Sequence, residues 1–427
     1  MTTRLSDIRH VFRQLLLLGT RGAGTAVKLA LSLYMVRYLG LAEVGFYGLL
    51  VGAATAMPSV LGFGLTAWIV RKLVNLPGSQ AIPAIFTRLS LSLLIQLVVQ
   101  PLVWLIDMFL GEPIPLHLAP AIAAILLLES LASEVSHMLT ACRRVRLAEF
   151  LLFIRSGLWP IPVMVYGLIE PAARTIDVLL FGWIAGLVLA WLIIAAQLLP
   201  RRRWRHLRLQ WRWLFDGARE SVPLYLHDIN LALSLYLDRF LISLYLGLEL
   251  TGVYTFFWSV ANMVHSLTIF GMLVPQIATL VDAAARGGVE FARVVRRLQL
   301  ETALWATLLA SGAAVAVTVL LPHLQRPLLD DNLHALWIIM AATLLRICSD
   351  GYGYVLYAQR RDEAIAATSI GGTAISAALN LLLIPFANLR GAAIAFLITA
   401  GAQFGLRYQL SRHPPADGAA VRSTTAA

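Results

Sequence analysis

The sequence predicts an all-α polytopic membrane protein, with twelve transmembrane helices in two parallel six-helix lobes forming a V around a central cavity. Three observations carry that expectation. Apolar residues make up 59% of the 427-residue chain and charged residues only 13%, a balance too apolar for a water-soluble protein of this length. The apolar residues come in continuous runs that do not alternate, so they read as helices rather than as strands of a closed barrel. A glycine-rich motif in the first half returns in the second.

The spans are expected at 12–36, 44–70, 81–106, 116–140, 147–169, 176–199, 219–246, 251–281, 296–321, 332–358, 364–386 and 389–410. Residues 1–199 form an N-terminal six-helix lobe, 200–218 a basic cytosolic linker, 219–410 a C-terminal six-helix lobe and 411–427 a disordered cytosolic tail rich in Ala, Pro and Thr. Met1 to His10 is polar and basic, and the first apolar run follows without a small-residue cleavage site, so no removable signal peptide is expected. In the linker, Trp204, Leu207, Trp211 and Leu214 fit one helical face, while Leu207, Leu209, Trp211 and Trp213 alternate as in a strand. Periodicity leaves both open.

Charge orients the map. Most of the 34 Lys and Arg residues fall in segments on the side of the amino terminus, among them Arg71, Lys72, Arg143, Arg144, Arg146, Arg201, Arg202, Arg203 and Arg205. The opposite loops hold only Arg37, Arg174, Arg326 and Arg390. This asymmetry predicts that both termini are cytosolic. It also accounts for the net charge of +11 through membrane lipids, with no nucleic-acid partner. Two cysteines, Cys142 and Cys348, are too few and too far apart for a disulfide framework or a metal site.

The repeat is specific. Tyr38-Leu39-Gly40-Leu41, followed by Gly45 and Tyr47, recurs as Tyr245-Leu246-Gly247-Leu248, followed by Gly252 and Tyr254, at an offset of 207 residues. Gly64 then falls on Gly271. Ala141-Cys142-Arg143-Arg144 recurs as Ala358-Gln359-Arg360-Arg361 at an offset of 217. An even number of spans separates the copies, so the halves are parallel and their pseudo-two-fold axis runs along the membrane normal.

The run from Tyr38 to Gly48, YLGLAEVGFYG, resembles the "LG…E-x-G-x-Y" signature of polysaccharide flippases of the multidrug/oligosaccharidyl-lipid/polysaccharide exporter superfamily. Arg219-Glu220-Ser221-Val222-Pro223-Leu224 resembles the opening of that family's second lobe, and Cys142-Arg143-Arg144-Val145-Arg146 its basic turn. The resemblance implies a bacterial inner-membrane flippase of the O-antigen type, used in surface polysaccharide biosynthesis. Such a protein moves undecaprenyl-diphosphate-linked oligosaccharide across the membrane by alternating access, and its partners include a polysaccharide polymerase and glycosyltransferases.

The candidate site follows from intramembrane charge. Arg21, Arg88 and Arg155 sit about two turns inside spans one, three and five, and Lys28 shares a helix face with Arg21. A charge at the centre of a spanning helix costs about 2.5–3.5 kcal/mol on insertion scales. A shared cationic layer therefore points to an anionic substrate, which the resemblance implies is lipid-linked; a delocalised guanidinium fork is suited to its diphosphate. Arg346 joins this substrate-binding set, either free or paired with Asp350 at i+4. Asp228, Glu129 and Asp350 are gate or coupling candidates for H+ or Na+; Asp228 lies at the 207 offset from Arg21 and is expected to pair with it. Glu129, Ser133 and His137 share a face and form a candidate relay. No other cofactor, no metal and no catalytic residue are expected.

Three alternatives stay open. A multidrug/cation antiporter of the same superfamily would want an acidic pocket. A major-facilitator transporter would carry a Gly-x-x-x-Asp-Arg turn after span two, where this chain reads Arg71-Lys72-Leu73-Val74-Asn75. A membrane glycan polymerase or ligase would need a large external loop.

Overall fold

A computed structural model describes residues 22–74, 78–110, 115–198 and 211–412. Among them every regular element is helical: α1 (22–38), α2 (Leu41–Val60), α3 (Leu65–Leu73), α4 (Gly78–Leu110), α5 (Ala119–Ala141), α6 (Val145–Phe153), α7 (Pro160–Ile169), α8 (Ile176–Leu198), α9 (Trp211–Thr268), α10 (Ile277–Arg286), α11 (Gly288–Leu324), α12 (Pro327–Asp331), α13 (Leu333–Ala358) and α14 (Asp362–Arg412). The expected twelve spans map onto these helices. Two of the helices, α9 and α14, each hold two spans, bent at Gly247 (φ 81°) and Asn388 (φ 51°). The parts of the expected first span before Gly22, of the linker from 199 to 210, and of the tail from 413 onward lie outside the described residues. The part of the linker that is described, 211–218, is helical and opens α9, which decides between the two periodicities there.

Three spans are interrupted where sequence chemistry weakens the helix. Span two breaks between α2 and α3 at Leu61 to Gly64, with Phe63 at φ 50° and Gly64 at φ 69°. Span five widens into a π turn, Ile154–Leu158, directly before Trp159-Pro160. Pro160 has no N–H to give the preceding turn, and the backbone takes up the slack as an i→i+5 turn. Span eight carries a π turn, Ile269–Leu273, and then a 3₁₀ turn, Val274–Gln276, around Pro275. At the 207 offset, the break in span two falls on the irregular stretch of span eight, so both halves interrupt the same helix at the same place.

The repeat is visible at atomic detail. A β-carbon on Gly45 would lie 2.2 Å from the Leu248 carbonyl oxygen, and one on Gly252 would lie 1.9 Å from that of Leu41. These repeat-related glycines meet face to face, and only glycine lets the two backbones touch. The second echo is a pair of identical helix ends. Arg144 N–H donates to Leu139 C=O and Arg143 N–H to Thr140 C=O; Arg361 donates to Leu356 and Arg360 to Tyr357. Both are Schellman caps, with Arg143 (φ 60°) and Arg360 (φ 57°) at the left-handed position usually held by glycine.

By packing, the chain forms two compact units. One runs up to Met263 and takes in Leu320–Asn332; the other comprises Val264–Val319 and the chain from Leu333 onward. This division differs from the lobes expected at 1–199 and 219–410. The reason lies in residues 211–263, which pack with the first unit. Trp213 meets Trp68 with ring centroids 4.7 Å apart, Leu214 joins the Trp68, Ile69 and Met138 core, and Gly217 sits against the Trp68 ring. The second unit has its own core of Ile269, Leu273, Leu280, Leu298 and Val355.

Candidate functional site

Burying an ionised group among apolar helices is costly unless it is paired and hydrogen-bonded. Where the chain's intramembrane charges sit, and which of them are paired, therefore defines the site.

The first cluster is sealed. Arg88 on α4 has 0% exposure, and its Nη2 donates to Glu134 Oε1 at 2.8 Å. Glu134 on α5 is 2% exposed and also accepts the Ser92 hydroxyl at 2.9 and 2.8 Å. Arg88 reaches Thr66 Oγ1 and, at 3.4 Å, the carbonyl of Gly62. Gly62 lies in the break of span two, where carbonyls lose their helical partners. Arg88 thus ties the broken span to α4 and α5 and is not in contact with any aqueous space. The sequence expectation placed Arg88 among the substrate-binding cations; here its guanidinium is fully buried and paired with Glu134.

The second cluster is open. Arg155 sits in the π turn of span five and is 7% exposed. Its Nη1 donates to Glu129 Oε1 at 2.6 Å, while Arg155 Nε and Glu129 Oε2 are buried without partners. The pair is monodentate, with donor and acceptor capacity to spare. Lys28 on α1 is exposed, lies within electrostatic range of both Glu129 and Arg155, and makes no ion pair or hydrogen bond among the described residues. Close approach of α1 to the π turn allows this grouping: a β-carbon on Gly157 would stand 3.4 Å from the Gly24 Cα. Two cations thus face one carboxylate. His137 is exposed and Ser133 half-buried, and no hydrogen bond joins either to Glu129, so the relay expected on that face is not formed.

The third cluster lies in the second unit. Asp350 on α13 accepts from Arg407 Nη1 at 2.9 Å through one oxygen and meets His265 Nε2 at 2.9 Å through the other. Arg407, 8% exposed, also reaches Ser349 and Thr368. Arg346, one turn before Asp350, is half-buried and within electrostatic range of Asp350 and His265, yet makes no ion pair among the described residues. Of the two readings left open for Arg346, free or paired with Asp350 at i+4, the structure has no ion pair between Arg346 and Asp350, and Asp350 holds Arg407. His265, Asp350 and Arg407 line a cavity of about 400 Å³ with Ile269, Gly353, Tyr354, Tyr357 and Ile365. Ile269 opens the π turn of span eight, so in both units a π turn borders a charge cluster.

Arg21 lies outside the described residues, and its expected pairing with Asp228 lies there too. Asp228, on α9, is half-buried with no ion pair among the described residues. Sequence reasoning missed His265 and Arg407. Arg407 sits near the end of an expected span, where a basic residue reads as orientation; α14 instead continues to Arg412 and carries Arg407 inside. His265, at a helical spacing of one turn from Ile269, left no signal that periodicity could isolate.

No family model matches the sequence, and no curated protein matches it by sequence. Solved structures match it along most of its length. A multidrug resistance MATE family transporter of the MOP superfamily, inward-facing, superimposes with a TM-score of 0.66 at 15% identity, covering 91% of this chain and 94% of that one. The lipid II flippase MurJ, in an inward closed conformation, gives a TM-score of 0.68 at 10% identity, covering 93% and 88%. A MATE in the straight conformation gives 0.59 at 15% identity, covering 94% of each. The described residues form a multi-pass, all-helical membrane fold, and that fold is the one seen in these MATE transporters and in MurJ.

Proposed function

We propose that the protein is a flippase for an anionic lipid-linked oligosaccharide, carried on undecaprenyl diphosphate, in a bacterial inner membrane with both termini in the cytosol. One observation carries this reading. One cluster in each unit pairs an arginine with a carboxylate and has a further cation beside the pair: Lys28 next to Arg155–Glu129, and Arg346 next to Arg407–Asp350. An unpaired cation inside a membrane protein is expensive and implies a negative ligand or a watery space. A diphosphate supplies the missing countercharge, and Arg155, holding Glu129 by one nitrogen only, has donors left for it. A cation-exporting pocket would carry the reverse surplus, carboxylate over cation. A polysaccharide polymerase and glycosyltransferases are the partners such a role requires. Asp228, free of any ion pair among the described residues, is the carboxylate best placed to take a coupling H+ or Na+.

The test is charge reversal at Lys28. Lys28→Glu turns the second cluster, Lys28 with Arg155–Glu129, from net positive to net negative. Cells producing this variant at the normal level should accumulate lipid-linked glycan on the cytosolic leaflet and lose surface polysaccharide by at least tenfold. If surface glycan is unchanged and the variant instead exports cationic dyes as well as the wild type or better, the antiporter reading replaces this one.

A further inference from the structure

Arg239 is a buried arginine that makes no ion pair among the described residues. It sits on the first limb of α9, eight residues before the Gly247 bend. Asp238 precedes it and reads in the sequence as its neutralising partner. The structure turns that carboxylate elsewhere: one Asp238 oxygen accepts the Arg239 backbone N–H at 2.8 Å, and the other accepts the Tyr254 hydroxyl. The guanidinium lies instead over the Trp258 ring, 4.0 Å from its centroid, and 5.2 Å from that of Tyr236. Arg239 is 3% exposed, and its Nε and Nη2 are buried with no hydrogen-bond partner. Arg88 and Arg155, at similar burial, each hold a carboxylate; Arg239 holds none.

A cation over an aromatic face recovers only part of what a buried, unpaired guanidinium loses. Two sealed donors on adjacent nitrogens form half of a bidentate fork, and the shape that completes it is a pair of oxygens on one phosphorus or carbon atom. The rings of Trp258 and Tyr236 hold the fork in place, and Tyr236 is itself fixed against Gly52.

We infer that Arg239 is an anion-binding residue, taking a phosphate or diphosphate group against the Trp258–Tyr236 walls. This deepens the reading above and rests on it for the carrier of the anion. On that reading Arg239 is a further station for the substrate diphosphate, about 12 Å along the helix from the Gly247 bend at 1.5 Å per residue.

The experiment uses full-length protein in nanodiscs of neutral lipid and follows the tryptophan emission owed to Trp258, taken as the difference from Trp258→Phe. One arm titrates inorganic diphosphate, and the other incorporates a long-chain polyprenyl diphosphate. A saturable change in Trp258 emission is expected in at least one arm, lost in Arg239→Gln and weakened about tenfold in Arg239→Lys, which keeps charge without the fork. A response to polyprenyl diphosphate alone assigns the site to a lipid headgroup; a response to both assigns it to the diphosphate itself. No response in either arm overturns the inference, as does an equal response in Arg239→Gln. Should Arg239→Gln fail to fold, Arg239→Lys decides, and unchanged affinity there overturns it. Diphosphate binding at Arg239 with normal transport by Lys28→Glu would sink the flippase reading and leave this site standing; the reverse result would sink only the site.

Discussion

Breaking the Arg88–Glu134 pair tests whether the deepest charge in the chain serves packing or transport. The two side chains are 0% and 2% exposed and lie 2.8 Å apart. Removing one partner leaves an uncompensated buried charge, which costs about 3–5 kcal/mol. Glu134→Leu orphans the guanidinium. Arg88→Met orphans a carboxylate that keeps the Ser92 hydroxyl but loses its countercharge. Against a typical total stability of about 5–15 kcal/mol, either loss should lower the amount of folded protein severely. Replacing both partners with apolar residues of similar volume removes the desolvation penalty together with the attraction, and such swaps are often neutral or stabilising. What remains is the loss of bonds from Arg88 to Thr66 and Gly62 and of an acceptor for Ser92, each worth about 1 kcal/mol. The Arg88→Met/Glu134→Leu variant should therefore fall within about 2–3 kcal/mol of the wild type, and the coupling energy between the two sites should exceed about 3 kcal/mol. Denaturant or thermal unfolding in detergent across the four-protein cycle measures this, and on the proposed reading surface glycan reports transport. A double variant no more stable than the singles would refute the pairing argument. A stable double variant that cannot transport would show that Arg88 meets the substrate after all.

Three further outcomes follow from single positions. Gly252→Ala forces a β-carbon to within 1.9 Å of the Leu41 carbonyl and should cost at least about 1–3 kcal/mol, whereas Gly271→Ala, with open space around it, should change unfolding by under about 1 kcal/mol. Arg143→Gly relieves a left-handed conformation worth about 1–2 kcal/mol and concedes part of that in chain entropy, so a small rise in unfolding temperature is expected, with Arg360→Gly behaving alike. Asp350→Asn leaves Arg407 and His265 without their shared carboxylate; it should destabilise the second unit by about 3 kcal/mol or more, seen as faster proteolysis after Val264, and a silent variant would remove the third cluster from consideration.

Much of this was legible in the sequence because membranes simplify the problem. Continuous apolar runs must be helices, and the twelve spans follow. The two echoes marked real geometry: Gly45 and Gly252 meet, and Arg143 and Arg360 cap their helices by identical bonds. Charge partners were less legible, since pairing depends on which helix faces which, and hydrophobic runs carry no face information. Arg88 and Arg155 read alike along the chain, each a basic residue some two turns inside a span. One is sealed against Glu134 and the other lies beside an exposed lysine, a difference set by α1 and α5, not by either residue's neighbours in sequence. Asp238 next to Arg239 looked like local neutralisation, yet Tyr254 and a backbone amide take the carboxylate. A helical neighbour at i+1 points to another face, so adjacency was the wrong guide.

The repeat supplies the scaffold but not the charges. At the 217 offset, Glu129 of span four corresponds to Arg346 of span ten, and Ser133 to Asp350. In the first unit the carboxylate holds Arg155 from span five; in the second it holds Arg407 from span twelve, whose counterpart at the same offset is Ala190. The free cations, Lys28 on span one and Arg346 on span ten, are not equivalent positions either. Yet these two clusters each combine an arginine–carboxylate pair with one extra positive charge beside a π turn. Duplication explains why the glycine contacts and helix caps match, since they were copied. It does not explain a charge pattern rebuilt from different residues on different helices. On the proposed reading a common physical demand does: an anion carried through the membrane calls for a net positive site in each unit, here beside a widened helical turn.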